Sequence, residues 1–173
     1  MGHKMTLLIR TLIIANALAS CSVGAASMQE VPPPSPAALV SRLYEDFACE
    51  VTSDSGCPEG RALVDLKRSA LASYFDDQLV ELWLADRTCV ARTREICNLD
   101  FDPVWASQDP VGTSFKVVPT ANATIVNVEL FHAPTGDRKV LHYTVVRTAA
   151  GWRIHDIAHG RTWSLLSLLP RQN

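Results

Sequence analysis

The chain has 173 residues, of which 47% are hydrophobic and 20% are charged, which is typical of one ordinary globular domain with a short additional segment. The formal net charge is -2 at pH 7, and the 16 lysines and arginines are dispersed along the chain. Because phosphate binding needs clustered basic side chains, these features disfavour nucleic acid as a partner.

The first 20 residues follow the plan of a bacterial secretory signal peptide. Lys4 and Arg10 precede a short apolar run over residues 11–19. This run is too short for a transmembrane helix, which needs about 20 apolar residues. The run closes on Leu18-Ala19-Ser20-Cys21, which resembles the lipobox of bacterial lipoproteins. We therefore expect residues 1–20 to be a lipoprotein signal peptide and Cys21 to be acylated.

Two alternatives stay open for this segment. Translation could begin at Met1 or at Met5, because a basic residue follows either methionine before the apolar run. A plain signal peptide could instead be cleaved after Ala25 or Ala26, where the small-residue rule is also satisfied.

The residues after the signal predict a membrane tether. Ser22, and not aspartate, follows Cys21, which favours the periplasmic face of the outer membrane if enterobacterial-type sorting applies. Residues 21–35 contain small residues and prolines without a periodic apolar pattern, so we expect a flexible tether. Residues 36–170 are then expected to form a single domain.

Four cysteines remain once Cys21 is acylated, and an even number fits an oxidising periplasm. Seven residues separate Cys49 from Cys57, and seven separate Cys89 from Cys97, so these two local disulfides are the simplest of three connectivities. A metal site is the alternative, but the CxxC and paired-histidine spacings of such sites are absent from the sequence.

Three helices are predicted before the strands. Ser35 is a good N-cap for a first helix that ends near Cys49, and a second helix is expected from about residue 59 to residue 72. Asp76 or Asp77 can cap a third helix. Its inward residues are expected to be Leu79, Val80, Trp83, Leu84 and Val90. Its solvated polar face is expected to carry Glu81, Asp86, Arg87, Arg92, Arg94 and Glu95.

The stretch from Ser114 to Ile157 predicts consecutive antiparallel strands. Apolar and polar residues alternate along residues 124–130, and turn residues at 134–137 send the chain back. Helices followed by such strands predict an α+β fold, with the helices on one face of a curved sheet. The apolar segment Trp163–Leu169 is expected to dock on the domain or to form a partner surface.

A polar and aromatic loop is predicted over residues 98–110, because two Asp-Pro steps disfavour helix there. We expect it to be a structural clasp in which carboxylates cap backbone N–H groups and a tryptophan anchors the loop. Calcium binding is the alternative, although the EF-hand pattern is absent from the sequence. The residues of this expected clasp are Asp100, Asp102, Trp105, Gln108 and Asp109.

Four short motifs carry a resemblance to a known group of proteins: Asp100-Phe101-Asp102-Pro103, Gln108-Asp109, Gly151-Trp152-Arg153-Ile154 and Asp156-Ile157. With them the chain resembles an uncharacterised family of small bacterial envelope proteins. That family is similar in fold to nuclear transport factor 2, also called cystatin-like, in which helices fill the concave side of a strongly bent sheet. The resemblance covers about residues 35–169, and it implies a fold more than a function.

Enzymes of that superfamily, such as ketosteroid isomerase and scytalone dehydratase, place a carboxylate or histidine and a tyrosine inside the cone. The resemblance makes Tyr44, Asp102, His132, His142 and Tyr143 the candidates for such a lyase or isomerase. A serine nucleophile is disfavoured because no GxSxG motif occurs in the sequence. If the cone instead holds an apolar ligand, the expected pocket residues are Tyr44, Trp83, His142 and Trp152.

No motif in the chain specifies a reaction or a cofactor, so we expect a protein without enzymatic activity and without a cofactor. The expected role is an envelope-tethered interaction or accessory module with a protein partner. Two alternatives are a binder of a small apolar ligand and an immunity protein against a periplasmic toxin, and an enzyme is the least favoured.

Overall fold

The computed structural model describes residues 35–52 and 55–169, which all belong to one compact unit, Pro32–Asn173. The signal peptide, Cys21 and most of the tether lie outside the described residues. The helices are α1 (Pro36–Asp46), α2 (Cys49–Thr52), α3 (Arg68–Leu71), α4 (Asp77–Thr93) and α5 (Leu165–Leu168). The strands are β1 (Thr113–Pro119), β2 (Ile125–His132), β3 (Asp137–Thr148), β4 (Gly151–His159) and β5 (Trp163–Ser164).

The five strands form one antiparallel sheet in chain order, β1-β2-β3-β4-β5, with helices on one face. The predicted α+β class is therefore confirmed. Alternate residues of the strands face the helices, because side chains alternate across a sheet. These buried residues are Val126, Val128, Leu130, Leu141, Tyr143, Val145, Ile154 and Ile157.

A β-bulge interrupts the pairing of β3 with β4. Thr144 pairs with Asp156 and Val145 with Ile154, so His155 has no opposite residue in β3. A bulge of this kind increases local twist. It also allows both Ile154 and Ile157 to point into the core although they are three residues apart.

Helix α1 forms as its sequence predicts. The Ser35 side chain accepts a hydrogen bond from the Ala38 amide at 3.1 Å, and Pro36 occupies the first helical turn. The helix ends at Asp46, three residues before the predicted end, and α2 then starts at Cys49.

The prediction of one continuous helix over residues 59–72 is wrong. A short 3₁₀ turn, Leu63–Asp65, and α3 replace it, and Leu66 between them is extended with ψ 138. Tertiary contacts explain the break. The Arg87 guanidinium donates to the Leu66 carbonyl, and the Glu50 carboxylate accepts from the Leu63 amide, so these backbone groups bond outside a helix.

Helix α4 begins where the Asp76 carboxylate caps the Leu79 amide at 2.9 Å. Two sequence predictions on this helix are wrong. Asp86 is not solvated but buried, because its Oδ1 accepts from both the backbone and the side-chain amide of Asn98. Val90 does not face inward and is 38% exposed.

The structure contains both predicted local disulfides. Cys49–Cys57 lies at the start of α2, and Cys89–Cys97 links the last turns of α4 to the following loop. The C-terminal segment docks on the domain. Leu165 is fully buried, and the Asp156 carboxylate accepts from the Leu166 amide.

Candidate functional site

The loop over residues 98–110 is closed by Asp102. Its Oδ1 accepts hydrogen bonds from the Val104 amide at 2.7 Å and from the Trp105 amide at 3.1 Å. Its backbone pairs with Ser107 in both directions, at 2.9 and 3.3 Å. The Gln108 side chain donates to Asp100 at 3.3 Å. Asp109 bonds to Ser107 through its backbone only, so four of the five expected clasp residues bond or anchor the loop through their side chains.

Trp105 fixes this loop to the core. It is 1% exposed, and its indole N–H donates to Glu50 Oε2 at 2.7 Å. The other oxygen of Glu50 accepts from the Leu63 amide at 2.8 Å. Sequence reasoning missed Glu50. No pattern around it could have indicated this role, because its partners lie 13 and 55 residues away.

Two buried tyrosines extend the same cluster. The Tyr44 hydroxyl donates to the Val104 carbonyl at 2.7 Å, and its oxygen lies 2.9 Å from the Tyr143 hydroxyl. Because Tyr44 has one proton and gives it to Val104, Tyr143 must donate to Tyr44. The Tyr44 ring meets Trp105 edge-on with ring centres 4.9 Å apart and stacks on Phe115 at 4.7 Å. We call Tyr44, Glu50, Asp102, Trp105 and Tyr143 the buried polar cluster.

Burial shifts the titration of both carboxyl groups in this cluster. Asp102 as a whole residue is only half-buried, but its carboxyl group is enclosed by protein atoms. Burial first, and then repulsion from Glu50, raise the pKa of Asp102 to about 7, against the lowering effect of the two amide hydrogen bonds. Burial likewise raises the pKa of Glu50, while its bonds from Leu63 and Trp105 oppose the rise. Burial also raises the pKa values of Tyr44 and Tyr143.

Neither carboxylate is paired with a cation in the described part of the chain. Lys139 approaches the loop but donates to the Ala106 carbonyl. The hydrogen bonds of the cluster described above each join two protein groups. The hydrogen bonds of the cluster therefore hold the loop against the core.

An open groove of about 560 Å³ lies between α4 and the loop, and we call it the α4 groove. Its floor includes Trp83 and its loop side includes Asp102. Two apolar residues on its rim are unusually accessible, Val64 at 57% and Val90 at 38%. Leu99 and Phe101 complete its apolar lining.

A second groove of about 500 Å³ shares the loop residues Asp100, Phe101 and Gln108 with the first. Its lining is more polar and includes His132 and Lys139. The histidine is engaged with Thr135 and with the Val111 carbonyl, each at 3.0 Å. The loop therefore forms part of the wall of both grooves.

The four expected pocket residues do not line a common cavity. Tyr44 is fully buried in the polar cluster, and Trp83 borders the α4 groove. His142 lies on the opposite face of the sheet, between the inward residues Leu141 and Tyr143, and bonds to Asn127 at 2.8 Å. Trp152 lines another groove, and the Arg147 guanidinium lies over the Trp152 ring, 5.4 Å from the ring centre. His142 faces away from the helices because successive side chains of a strand point to opposite faces of the sheet.

Among residues 35–52 and 55–169, no group of three metal-binding side chains could hold an ion, and no helix has the length and apolarity to cross a membrane. Comparison of the chain with protein-family models, with curated proteins and with solved structures finds no match. The function is therefore inferred from the chain's own residues.

Proposed function

We propose that the protein is a non-enzymatic envelope lipoprotein that acts as a protein-interaction or accessory module in the bacterial periplasm. In this proposal Cys21 anchors the chain to the outer membrane, residues 21–35 form the tether, and the domain makes the contact. The α4 groove carries the proposal. In the described residues four large apolar side chains are exposed, and two of them, Val64 and Val90, line this one groove, whereas Ile96 and Val140 lie outside it. Accessible apolar side chains gathered in a groove are typical of interaction sites.

We also propose that the domain has the nuclear transport factor 2-like (cystatin-like) fold. The antiparallel order of the sheet, the bulge at His155 and the position of α1 against the sheet support this assignment. Since one fold hosts many tasks, the assignment adds little to the functional argument.

The filled interior favours a surface contact over a ligand inside the sheet. Tyr44 and Tyr143 are fully buried, and Trp105 is 1% exposed, so aromatic rings occupy the space that an apolar ligand would take. The lyase or isomerase alternative loses support for a related reason. The hydroxyl of Tyr44 and the carboxylate of Asp102 are bonded to backbone groups of the same loop.

Site-specific crosslinking in intact cells tests the proposal. A photoreactive amino acid is placed at Val64 or Val90 in the groove, and at Val140 as a control. Val140 is a matched control because it is 41% exposed but lies on β3 away from the groove. We expect one stoichiometric adduct with an envelope protein at the two groove positions only.

Equal crosslinking at Val140, or no adduct at either groove position, contradicts the interaction proposal. A small molecule that copurifies with the domain in the absence of a protein adduct would select the ligand-binding alternative. An immunity protein is a special case of the same proposal, and a secreted toxin as the crosslinked partner identifies it.

A further inference from the structure

We propose that the α4 groove binds a protein segment that carries bulky apolar side chains flanked by lysine or arginine. The inference rests on the proposed function, since it specifies the partner of the same surface. Two independent features of the groove carry it, namely its exposed apolar rim and the sign of its charge.

The apolar feature determines the anchor of the partner segment. Val64 and Val90 stand on opposite elements, the 3₁₀ turn and α4, and both are exposed across an open groove with Trp83 in its lining. The volume of about 560 Å³ is comparable to that of ligand pockets, which hold about 300–1,000 Å³, so the groove has room for bulky side chains. An amphipathic segment presents such groups at helical spacing, as in helix-in-groove recognition.

The charge determines what flanks the anchor. The lining contains four aspartates, Asp65, Asp86, Asp100 and Asp102, and one arginine, Arg87. The guanidinium of Arg87 donates to the Leu66 carbonyl, so it is partly engaged within the fold. Asp65 and Asp100 are exposed on the rim. Asp86 is buried, and burial raises the pKa of Asp102 to about 7, so the charge that faces a partner comes mainly from Asp65 and Asp100. These two rim carboxylates attract a cationic segment and repel an acidic one.

The exposed rim carboxylates act mainly through long-range attraction, which salt screens over about 10 Å at 0.1 M. The apolar rim acts through contact and is insensitive to this screening. The two contributions can therefore be separated by experiment.

The test is a selection of random displayed peptides on the purified full chain, followed by affinity measurements on synthetic copies. Peptides that also bind the V90D variant are discarded, so that the remaining peptides depend on the groove. V140D, which changes an exposed valine outside the groove, is the matched control. Melting curves for each variant establish that it is folded. We expect the groove-dependent peptides to combine aromatic or aliphatic residues with an excess of lysine and arginine.

The synthetic peptides then test both features. We expect V64D or V90D to weaken binding about tenfold or more, as loss of an apolar anchor does, and V140D to leave it unchanged. The pair D65N/D100N should weaken binding about three- to tenfold at low salt and little at 0.5 M salt. The control E45Q removes an exposed charge outside the groove and should have no effect.

Groove-dependent peptides without an excess of basic residues overturn this inference and leave the proposed function standing. The absence of any groove-dependent peptide overturns the inference as well, while the crosslinking result decides the proposed function separately. A second copy of the chain as occupant also overturns it, and sedimentation of the free protein detects that outcome as a dimer lost in V90D.

Discussion

Replacing Asp102 with asparagine separates the two effects of its carboxyl group. Both amide hydrogen bonds end on Oδ1, so an asparagine oxygen can accept them from Val104 and Trp105. Asparagine cannot ionise, however. The variant D102N therefore keeps the cap and removes the buried charge, whereas D102A removes both.

The direction of the pH effect follows from the raised pKa. Asp102 has a pKa of about 7 in the folded chain and about 3.9 when unfolded. Between these values the folded state binds a proton at Asp102 that the unfolded state does not, so the contribution of Asp102 to stability is highest below pH 4 and falls as pH rises towards 7. Three pKa units at 1.36 kcal/mol each give a loss of at most about 4 kcal/mol.

We expect D102N to be more stable than the wild type at pH 8 by about 1–4 kcal/mol and to lose this advantage near pH 4.5. D102A should be less stable than D102N by about 1 kcal/mol at either pH, as a lost cap is. Glu50 should behave in the same direction, since burial also raises its pKa.

Urea unfolding at a series of pH values from 4.5 to 8.5 measures these differences. The histidines contribute equally to the wild type and to D102N, so the difference between the two curves isolates Asp102. If the free energy of unfolding of D102N runs parallel to that of the wild type across this range, then the buried carboxyl is not protonated in the folded chain and the reasoning is refuted.

Three further variants have defined outcomes. Y44F should lower stability by about 1–3 kcal/mol, because it leaves the Val104 carbonyl and the Tyr143 hydroxyl without their partner. Y143F should lower stability less. Equal losses for the two variants in denaturant melts contradict the inferred chain in which Tyr143 donates to Tyr44 and Tyr44 donates to Val104. Replacing Cys49 and Cys57 by serine should cost about 2.5 kcal/mol, and unchanged melting would oppose this. C21A should release the protein from membranes or leave it unprocessed; a native mass with an unmodified N-terminus at residue 26 or 27 contradicts acylation.

Local features of the fold could be predicted from the sequence because their causes are local. The Ser35 and Asp76 side chains each cap a helix by accepting a hydrogen bond from the amide three residues further on. Each disulfide joins cysteines with a sequence separation of 8. The strands follow from alternation and turn residues. The role of Asp102 in capping the loop was also predictable, since its partners are the next few residues.

Features that depend on distant contacts could not be predicted in this way. Tyr44 and Tyr143 bond across 99 residues, and Trp105 reaches Glu50 across 55. Asp86 is buried because Asn98 folds back on it after the disulfide turn. The helix over residues 59–72 failed for the same reason, since side chains from elsewhere in the chain bind its backbone groups.

A pair of buried carboxyl groups without a cation costs stability, and apolar residues of similar size would avoid that cost. Unlike apolar side chains, the carboxylates form hydrogen bonds that fix the positions of particular N–H groups. They accept four N–H groups at defined positions, two on each side chain, and so fix the loop that walls both grooves. Loop-building and binding can therefore be distinguished. V90D should weaken peptide binding about tenfold or more with unchanged stability. D102A should weaken both binding and stability, because it disturbs the wall of the groove without touching its apolar rim.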